Sequence, residues 1–282
     1  MQHKYVKKSS RGKVLVTVLT AIALVLVVIC AGMLWHVGSA KRDFQKLSQQ
    51  VSAVAPTTQE KSSESKAGPT ETDATEETVP ATQPPQEKTI LPQYEQLHQQ
   101  NPEFFGWLTI PGTRIDYPVM YSPEEPQKYI HADFDGNYSY PGTPFLDGHC
   151  EENSENYIIY AHNMLDGSMF RSLMKYENKA YWEKHPTIQF NTLYEEREYE
   201  VLAAFYDKVY KKTDNVFKFY QFINAADQED FDAAMAAYRE KQLYDTGVTA
   251  QYGDQLLTLV TCAYHTENGR FVVVARRAAS GR

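Results

Sequence analysis

The sequence is poor in cysteine, with only three among 282 residues: Cys30, Cys150 and Cys262. It contains neither the C-x-x-C nor the H-x-x-x-H spacing that is typical of zinc sites. The scarcity leaves room for at most one disulfide. Each cysteine is therefore considered separately as a small apolar residue, a disulfide partner, a metal ligand or a nucleophile.

Basic residues are scarce after the N-terminus. The first 13 residues carry five Lys and Arg and no acid, and the rest of the chain has 23 Lys and Arg against 36 Asp and Glu, a net charge of −13. An acidic chain without a basic stripe argues against nucleic acid as a partner.

Residues 14–35 form an uncharged, mostly apolar run. As a helix they would extend roughly 33 Å, enough to cross a hydrocarbon core of about 30 Å. The run is too long for a cleavable signal peptide, although Gly38-Ser39-Ala40 would offer a cleavage site. Preceding basic residues favour a cytoplasmic N-terminus. We therefore expect a cytoplasmic tail (1–13) and an uncleaved signal anchor (14–35), with Cys30 facing lipid as a small apolar residue.

Thr, Glu, Ser and Pro dominate residues 52–89, which have almost no large apolar side chains. Burial cannot offset the entropy of ordering such a segment. We assign residues 36–89 to a disordered extracytoplasmic stalk. Residues 90–282 remain as one folded domain, long enough to build a sizeable core.

Short apolar and alternating runs in this domain predict a mostly β (α+β) fold, a barrel with helical additions. Residues 91–100 read as an N-terminal helix, 169–176 and 180–184 as short helices, and 227–242 as the clearest helix, with acids first and bases last. The predicted strands lie within residues 106–122 (two strands), 144–149, 156–162, 185–210 (two strands), 255–262 and 270–277.

Cys262 ends one of the apolar strands, TLVTC. A thiolate is a good nucleophile, but a cysteine needs a nearby base or positive charge to become one. Among the histidines, His162 ends the apolar strand YIIYAH, whereas the others of the folded domain fall in the N-terminal helix (His98) or in loops and turns (His131, His149, His185 and His265). Spacing alone does not decide between a structural and a catalytic role for His162.

Arg270 begins the last apolar strand. If the two C-terminal strands form a hairpin, its guanidinium lies near Cys262, where it could stabilise a thiolate and an oxyanion. A solvated surface arginine is the alternative. A Cys150–Cys262 disulfide and a zinc site at His149, Cys150, His162 and Cys262 are further alternatives.

Together, TLVTC (258–262), Arg270 and the earlier YAHNM (160–164) resemble the signature of sortases, the cysteine transpeptidases of Gram-positive cell surfaces. The resemblance covers about residues 90–277 and implies an eight-stranded β-barrel with an N-terminal helix. The long helix before the nucleophile strand resembles class B sortases. No class C lid motif or C-terminal membrane span is visible.

The resemblance also implies catalytic roles. Cys262 would attack a threonine-like carbonyl in the C-terminal sorting signal of a secreted protein, His162 would protonate the departing amine, and Arg270 would hold the substrate and the oxyanion. An amine of a cell-wall precursor, or a pilin lysine, would resolve the thioester. No metal or organic cofactor is implied. Thr261 would assist the oxyanion site or serve only as a β-branched strand residue.

Two rival functions stay open. Another extracytoplasmic cysteine peptidase is disfavoured by chain order, because papain-like amidases place cysteine before histidine and L,D-transpeptidases keep a histidine where Val260 stands here. An anchored, non-catalytic module that binds a surface polymer would leave Cys262 as a core residue.

Overall fold

The computed structural model describes residues 10–54 and 88–279. It begins with one continuous helix of 45 residues, α1 (Ser10–Val54). Within α1, Leu15–Gly32 is long and apolar enough to cross a membrane, and none of it is buried in the protein. Most of the expected basic tail, and residues 55–87 of the expected stalk, lie outside the described residues.

The prediction of a disordered stalk is wrong for residues 36–54, which are helical. Ala40, Phe44 and Leu47 recur at helical spacing and are buried. The ring of Phe44 meets Tyr117 edge-on, with centroids 5.2 Å apart, and Ser48 donates a hydrogen bond to Asp116 at 2.8 Å. This apolar stripe docks the second half of α1 on the folded domain.

Eight strands close into a barrel in the order β1-β2-β3-β4-β7-β8-β6-β5. Parallel pairing joins β2 to β3 and β4 to β7, and the other pairs are antiparallel. All eight predicted strands are confirmed. Their bounds are β1 Phe104–Thr109, β2 Asp116–Met120, β3 Phe145–Leu146, β4 Asn156–Tyr160, β5 Thr187–Thr192, β6 Glu198–Lys208, β7 Leu256–Cys262 and β8 Gly269–Arg277.

Three further helices flank the barrel: α2 (Pro92–Gln100), α3 (Lys179–Trp182) and α4 (Gln228–Lys241). The predicted long helix is confirmed as α4, which lies between β6 and β7. The side chain of Asp227 caps α4 by accepting from the backbone N–H of Asp230. Short 3₁₀ turns cover Lys128–Ile130, Phe170–Glu177 and Phe219–Gln221.

Strand β7 is buried along its length and becomes partly exposed only at its last residue, Cys262. Its neighbours β4 and β8 are likewise mostly buried. A strand covered on both faces needs the near-continuous apolar sequence seen here. The end of β7 is therefore where this buried layer reaches solvent.

Candidate active site

A cleft of about 390 Å³ opens where β4 and β7 end and β8 begins, and His162, Cys262 and Arg270 all line it. Its floor includes Phe145, Tyr160 and Val260, which lie on adjacent strands β3, β4 and β7. The three residues predicted from separate parts of the sequence thus share one mostly apolar cleft.

Cys262 and Arg270 are direct partners in the register of the β7–β8 hairpin. The hairpin predicted from the sequence is therefore confirmed. Nη1 of Arg270 donates to the backbone carbonyl of Gly269 at 2.9 Å and to that of Asn268 at 3.3 Å. A guanidinium carries five N–H donors, so these bonds orient the group and leave its other donors for the cleft.

His162 lies two residues beyond the end of β4 and is partly buried. Its Nε2 is 3.0 Å from the backbone carbonyl of Ile130. A carbonyl can only accept, so Nε2 carries a proton and donates it. Burial lowers the pKa of His162 below its usual value of 6.5; the bond to Ile130 opposes this shift, and nearby His131 adds to it.

Hydrogen bonds also tie the histidine segment to the cysteine segment. Strands β4 and β7 run parallel with Tyr160 opposite Val260, and the backbone N–H of Ala161 donates to Val260 at 3.2 Å. Beyond them, Thr261 donates its hydroxyl to the carbonyl of Ala161 at 2.8 Å. Asn163 donates its amide N–H to the carbonyl of Cys262 at 2.8 Å. The hydroxyl of Thr261 thus has a structural partner.

One wall of the cleft comes from Val209, Phe219 and Tyr220, in the segment between β6 and α4. This segment leads into the long helix α4. On β7, Leu259 is fully buried, and its neighbour Val260 lines the cleft.

An acid and a phenol meet on the cleft floor. The hydroxyl of Tyr160 donates to Oδ2 of Asp147 at 3.0 Å, while Oδ1 of Asp147 lies 2.8 Å from Nδ1 of His149. Burial, followed by the charge of Asp147, raises the pKa of Tyr160 well above its usual value. Tyr160 therefore remains a neutral phenol at physiological pH.

Cys150 and Cys262 are both free thiols, which excludes the disulfide considered above. Cys150 is fully buried, and burial raises the pKa of its thiol to about 12. Its Sγ donates weakly to the carbonyl of Asn156 at 3.5 Å. Cys150 is a core residue. Over residues 10–54 and 88–279, no group of three or more His, Cys, Asp or Glu side chains is arranged to hold a metal.

Ile130, His131 and Asn163 are the residues of the site that the sequence did not single out. Ile130 contributes only a backbone carbonyl, for which no side-chain signal exists. The sequence predicts a loop or turn at His131, and His131 does follow the 3₁₀ turn Lys128–Ile130. Asn163 is adjacent to His162, but its contact with Cys262 spans 99 positions.

Comparison with known proteins gives a consistent result. The model of the sortase domain family matches residues 108–278. Sortase B of Staphylococcus aureus is 30% identical over 193 residues, covering 66% of this chain and 75% of the relative. Sortase B of Listeria monocytogenes is 32% identical over 181 residues, covering 63% of this chain and 70% of the relative.

A solved structure shows the same fold. Sortase B from Bacillus anthracis, crystallised in complex with AAEK1, superposes with a TM-score of 0.58 at 30% identity, covering 67% of this chain and 85% of that one. The family match spans more than half of the chain, and the closed eight-stranded barrel agrees with it. The chain therefore belongs to the sortase family of cysteine transpeptidases and is similar to its class B members.

Proposed function

We propose that this sortase cleaves the C-terminal sorting signal of secreted proteins with Cys262 as nucleophile, His162 as acid and base, and Arg270 as the oxyanion-binding group. The observation that carries the proposal is the direct pairing of Cys262 with Arg270 in a cleft that also contains His162. Family membership supplies the reaction, and this geometry supports the assignment of the residues.

In the first step, the Cys262 thiolate attacks the carbonyl carbon of a threonine-like residue in the sorting signal. The carbonyl oxygen becomes an oxyanion, and free N–H donors of Arg270 bind it. Because Nη1 of Arg270 is held by two backbone carbonyls, the guanidinium is oriented before substrate arrives.

The tetrahedral intermediate then collapses to a thioester as the C–N bond of the peptide breaks. The imidazolium of His162 donates its proton to the departing amine. With Nε2–H bonded to Ile130, Nδ1 is the nitrogen that gives up this proton and takes one back. The enzyme is left as a Cys262 thioester with a neutral His162.

An incoming amine attacks the thioester carbonyl, and His162 accepts the proton that the amine loses. The new amide forms as the Cys262 thiolate leaves, which restores the starting state. The acceptor is an amine of a Gram-positive cell-wall precursor or, as the alternative, a pilin lysine. Mostly apolar walls including Phe219 and Tyr220 favour an extended peptide over a charged polymer as the occupant of the cleft.

The proposal also includes the orientation of the chain in the membrane. The apolar stretch Leu15–Gly32 anchors the chain in the cell membrane, with residues 1–13 in the cytoplasm and the catalytic domain (90–282) outside. The docked half of α1 holds that domain close to the membrane surface, where secreted substrates emerge.

The test is to incubate the full chain, in detergent micelles, with a panel of sorting-signal peptides and to measure intact mass. We expect a thioester adduct on Cys262 that an added amine releases as a transpeptidation product. Cys262→Ala, His162→Ala and Arg270→Ala should each abolish or cripple transfer with the fold intact. Peptide binding without any adduct would instead support a non-catalytic binding module. Cleavage without transfer to any amine would support a peptidase.

A further inference from the structure

A second imidazole covers the ring of His162. The rings of His131 and His162 are stacked, with centroids 5.2 Å apart and an interplanar angle of 26°. His131 also stacks on Tyr140, with centroids 6.3 Å apart and an angle of 19°. The three rings form a series of contacts that ends on the histidine of the cleft.

Although His131 is exposed, its own segment holds it in place. Its Nδ1 is 3.1 Å from the carbonyl of Tyr140 and, facing an acceptor, donates to it. Its backbone carbonyl accepts from Ser139 at 3.0 Å. The preceding residue, Ile130, supplies the carbonyl that binds Nε2 of His162. One short segment therefore contacts His162 both at a ring nitrogen and on a ring face.

We infer that His131 is a positioning residue for His162: its ring and the carbonyl of Ile130 together fix the plane of the catalytic imidazole and leave Nδ1 as the nitrogen that exchanges protons. The inference rests on the proposed acid–base role of His162. Holding the imidazole in one orientation matters because small misplacements of a catalytic group cost large factors in rate.

The contact also couples the charges of two histidines. Cys262, Arg270, Tyr160, Asp147 and His149 line the same cleft as His162. His131 stacks on the imidazole of His162, and its charge is one of the causes that lower the pKa of His162. A protonated His131 opposes the imidazolium form of His162, since like charges at this separation disfavour each other. His131 therefore limits the fraction of His162 that is ready to act as an acid.

Two substitutions of His131 separate the effect of its ring on the position of His162 from the effect of its charge. His131→Phe keeps a flat ring on His162 and removes the charge, whereas His131→Ala removes both. His185→Phe is the matched control, because Nδ1 of His185 also bonds a backbone carbonyl (Pro111, 2.8 Å) and its ring packs on Tyr181, away from the cleft. The full chain in detergent micelles, with ¹³C-labelled histidine, is titrated by NMR to obtain the pKa of His162. Peptide transfer is measured over the same pH range, and thermal unfolding reports the fold.

For His131→Ala we expect kcat to fall about tenfold with KM little changed. For His131→Phe we expect most of kcat to be retained and the pKa of His162 to rise by about 0.5 unit or more. The limb of its pH–rate profile that His162 governs should move to higher pH by the same amount. His185→Phe should leave both kcat and the pKa of His162 unchanged.

An unchanged pKa of His162 in His131→Phe, or a wild-type kcat in His131→Ala, overturns the inference. If His131→Ala does not fold, the titration of His131→Phe still decides. The titration also separates this inference from the proposed function. A wild-type chain that transfers no peptide defeats the function, while the pKa of His162 still reports on the contact with His131.

Discussion

The side-chain amide of Asn163 donates a hydrogen bond to the backbone carbonyl of Cys262 at 2.8 Å. The residue that follows His162 thus binds the residue proposed as the nucleophile. Arg171 in turn donates to Oδ1 of Asn163 at 3.0 Å, which orients the amide. Asn163 is only 8% exposed, so this link between the two halves of the site is shielded from competing water.

Asn163→Ala should separate the histidine and cysteine segments slightly and leave the carbonyl of Cys262 without this partner. We expect kcat to fall roughly tenfold with a small change in KM, since positioning is lost and the cleft walls remain. Steady-state transfer kinetics with a sorting peptide provide the measurement. Asn178→Ala is the control, because Asn178 caps α3, away from the cleft; it should lower stability without lowering kcat. A wild-type kcat in Asn163→Ala would show that the contact is not needed.

The sequence predicted the parts of the site that depend on strand ends. Cys262 and His162 end apolar runs and Arg270 starts one, so strand patterning placed all three at strand ends, whereas their catalytic roles follow from the sortase resemblance and stay a prediction. Asn163 and Ile130 could not be predicted, because their contacts arise only when the barrel brings β4 beside β7 and carries the segment after β2 over the cleft.

The boundary of the stalk shows a different limit of prediction from the sequence. Ala40, Phe44 and Leu47 lie at helical spacing in the sequence, but three apolar residues beside a low-complexity tract do not by themselves predict a docked helix. The stripe is short, and its partner Tyr117 lies more than 70 residues away. Only the folded domain shows that this stripe has a surface to cover.

The two cysteines of the domain should differ sharply towards an alkylating reagent. Burial raises the pKa of the Cys150 thiol to about 12 and shields it from reagents, whereas Cys262 is partly exposed in the cleft. In a Cys30→Ala background, brief iodoacetamide treatment followed by peptide mapping should find label on Cys262 and almost none on Cys150. Native-state labelling of Cys150 at a similar rate would contradict its assignment to the core.

Cys150→Ala should keep peptide transfer and lose stability. Removing the buried sulfur leaves a small cavity, for which we expect a decrease of about 1–2 kcal/mol in the free energy of unfolding. Denaturant titration measures this loss, and transfer kinetics provide the parallel readout. Loss of transfer in a folded Cys150→Ala variant would mean that the thiol contributes to the chemistry.

The burial of His162 should make stability depend on pH. Its pKa is lower in the folded state than the usual 6.5, so the unfolded state binds the proton more readily as pH falls. The free energy of unfolding should therefore decrease as pH falls through the unfolded-state pKa, and level off below the folded-state pKa. Urea titrations between pH 8 and 5 should show a smaller loss in His162→Gln than in the wild type. Equal slopes in the two proteins would mean that His162 titrates as an unburied histidine does.

Phe44→Ala tests whether the second half of α1 is docked or acts as a free stalk. Phe44 is 6% exposed and its ring contacts Tyr117, so its truncation should weaken docking by about 3 kcal/mol. Hydrogen exchange of residues 40–51 in the full chain should accelerate, while strands β4 and β7 stay protected. Gln49→Ala, at an exposed position of the same helix, should leave hydrogen exchange unchanged both in residues 40–51 and in strands β4 and β7. Transfer to a soluble amine should survive in Phe44→Ala because the cleft is untouched. If residues 40–51 of the wild type already exchange as rapidly as an unfolded peptide, the segment is a stalk and the domain is not held at the membrane by α1.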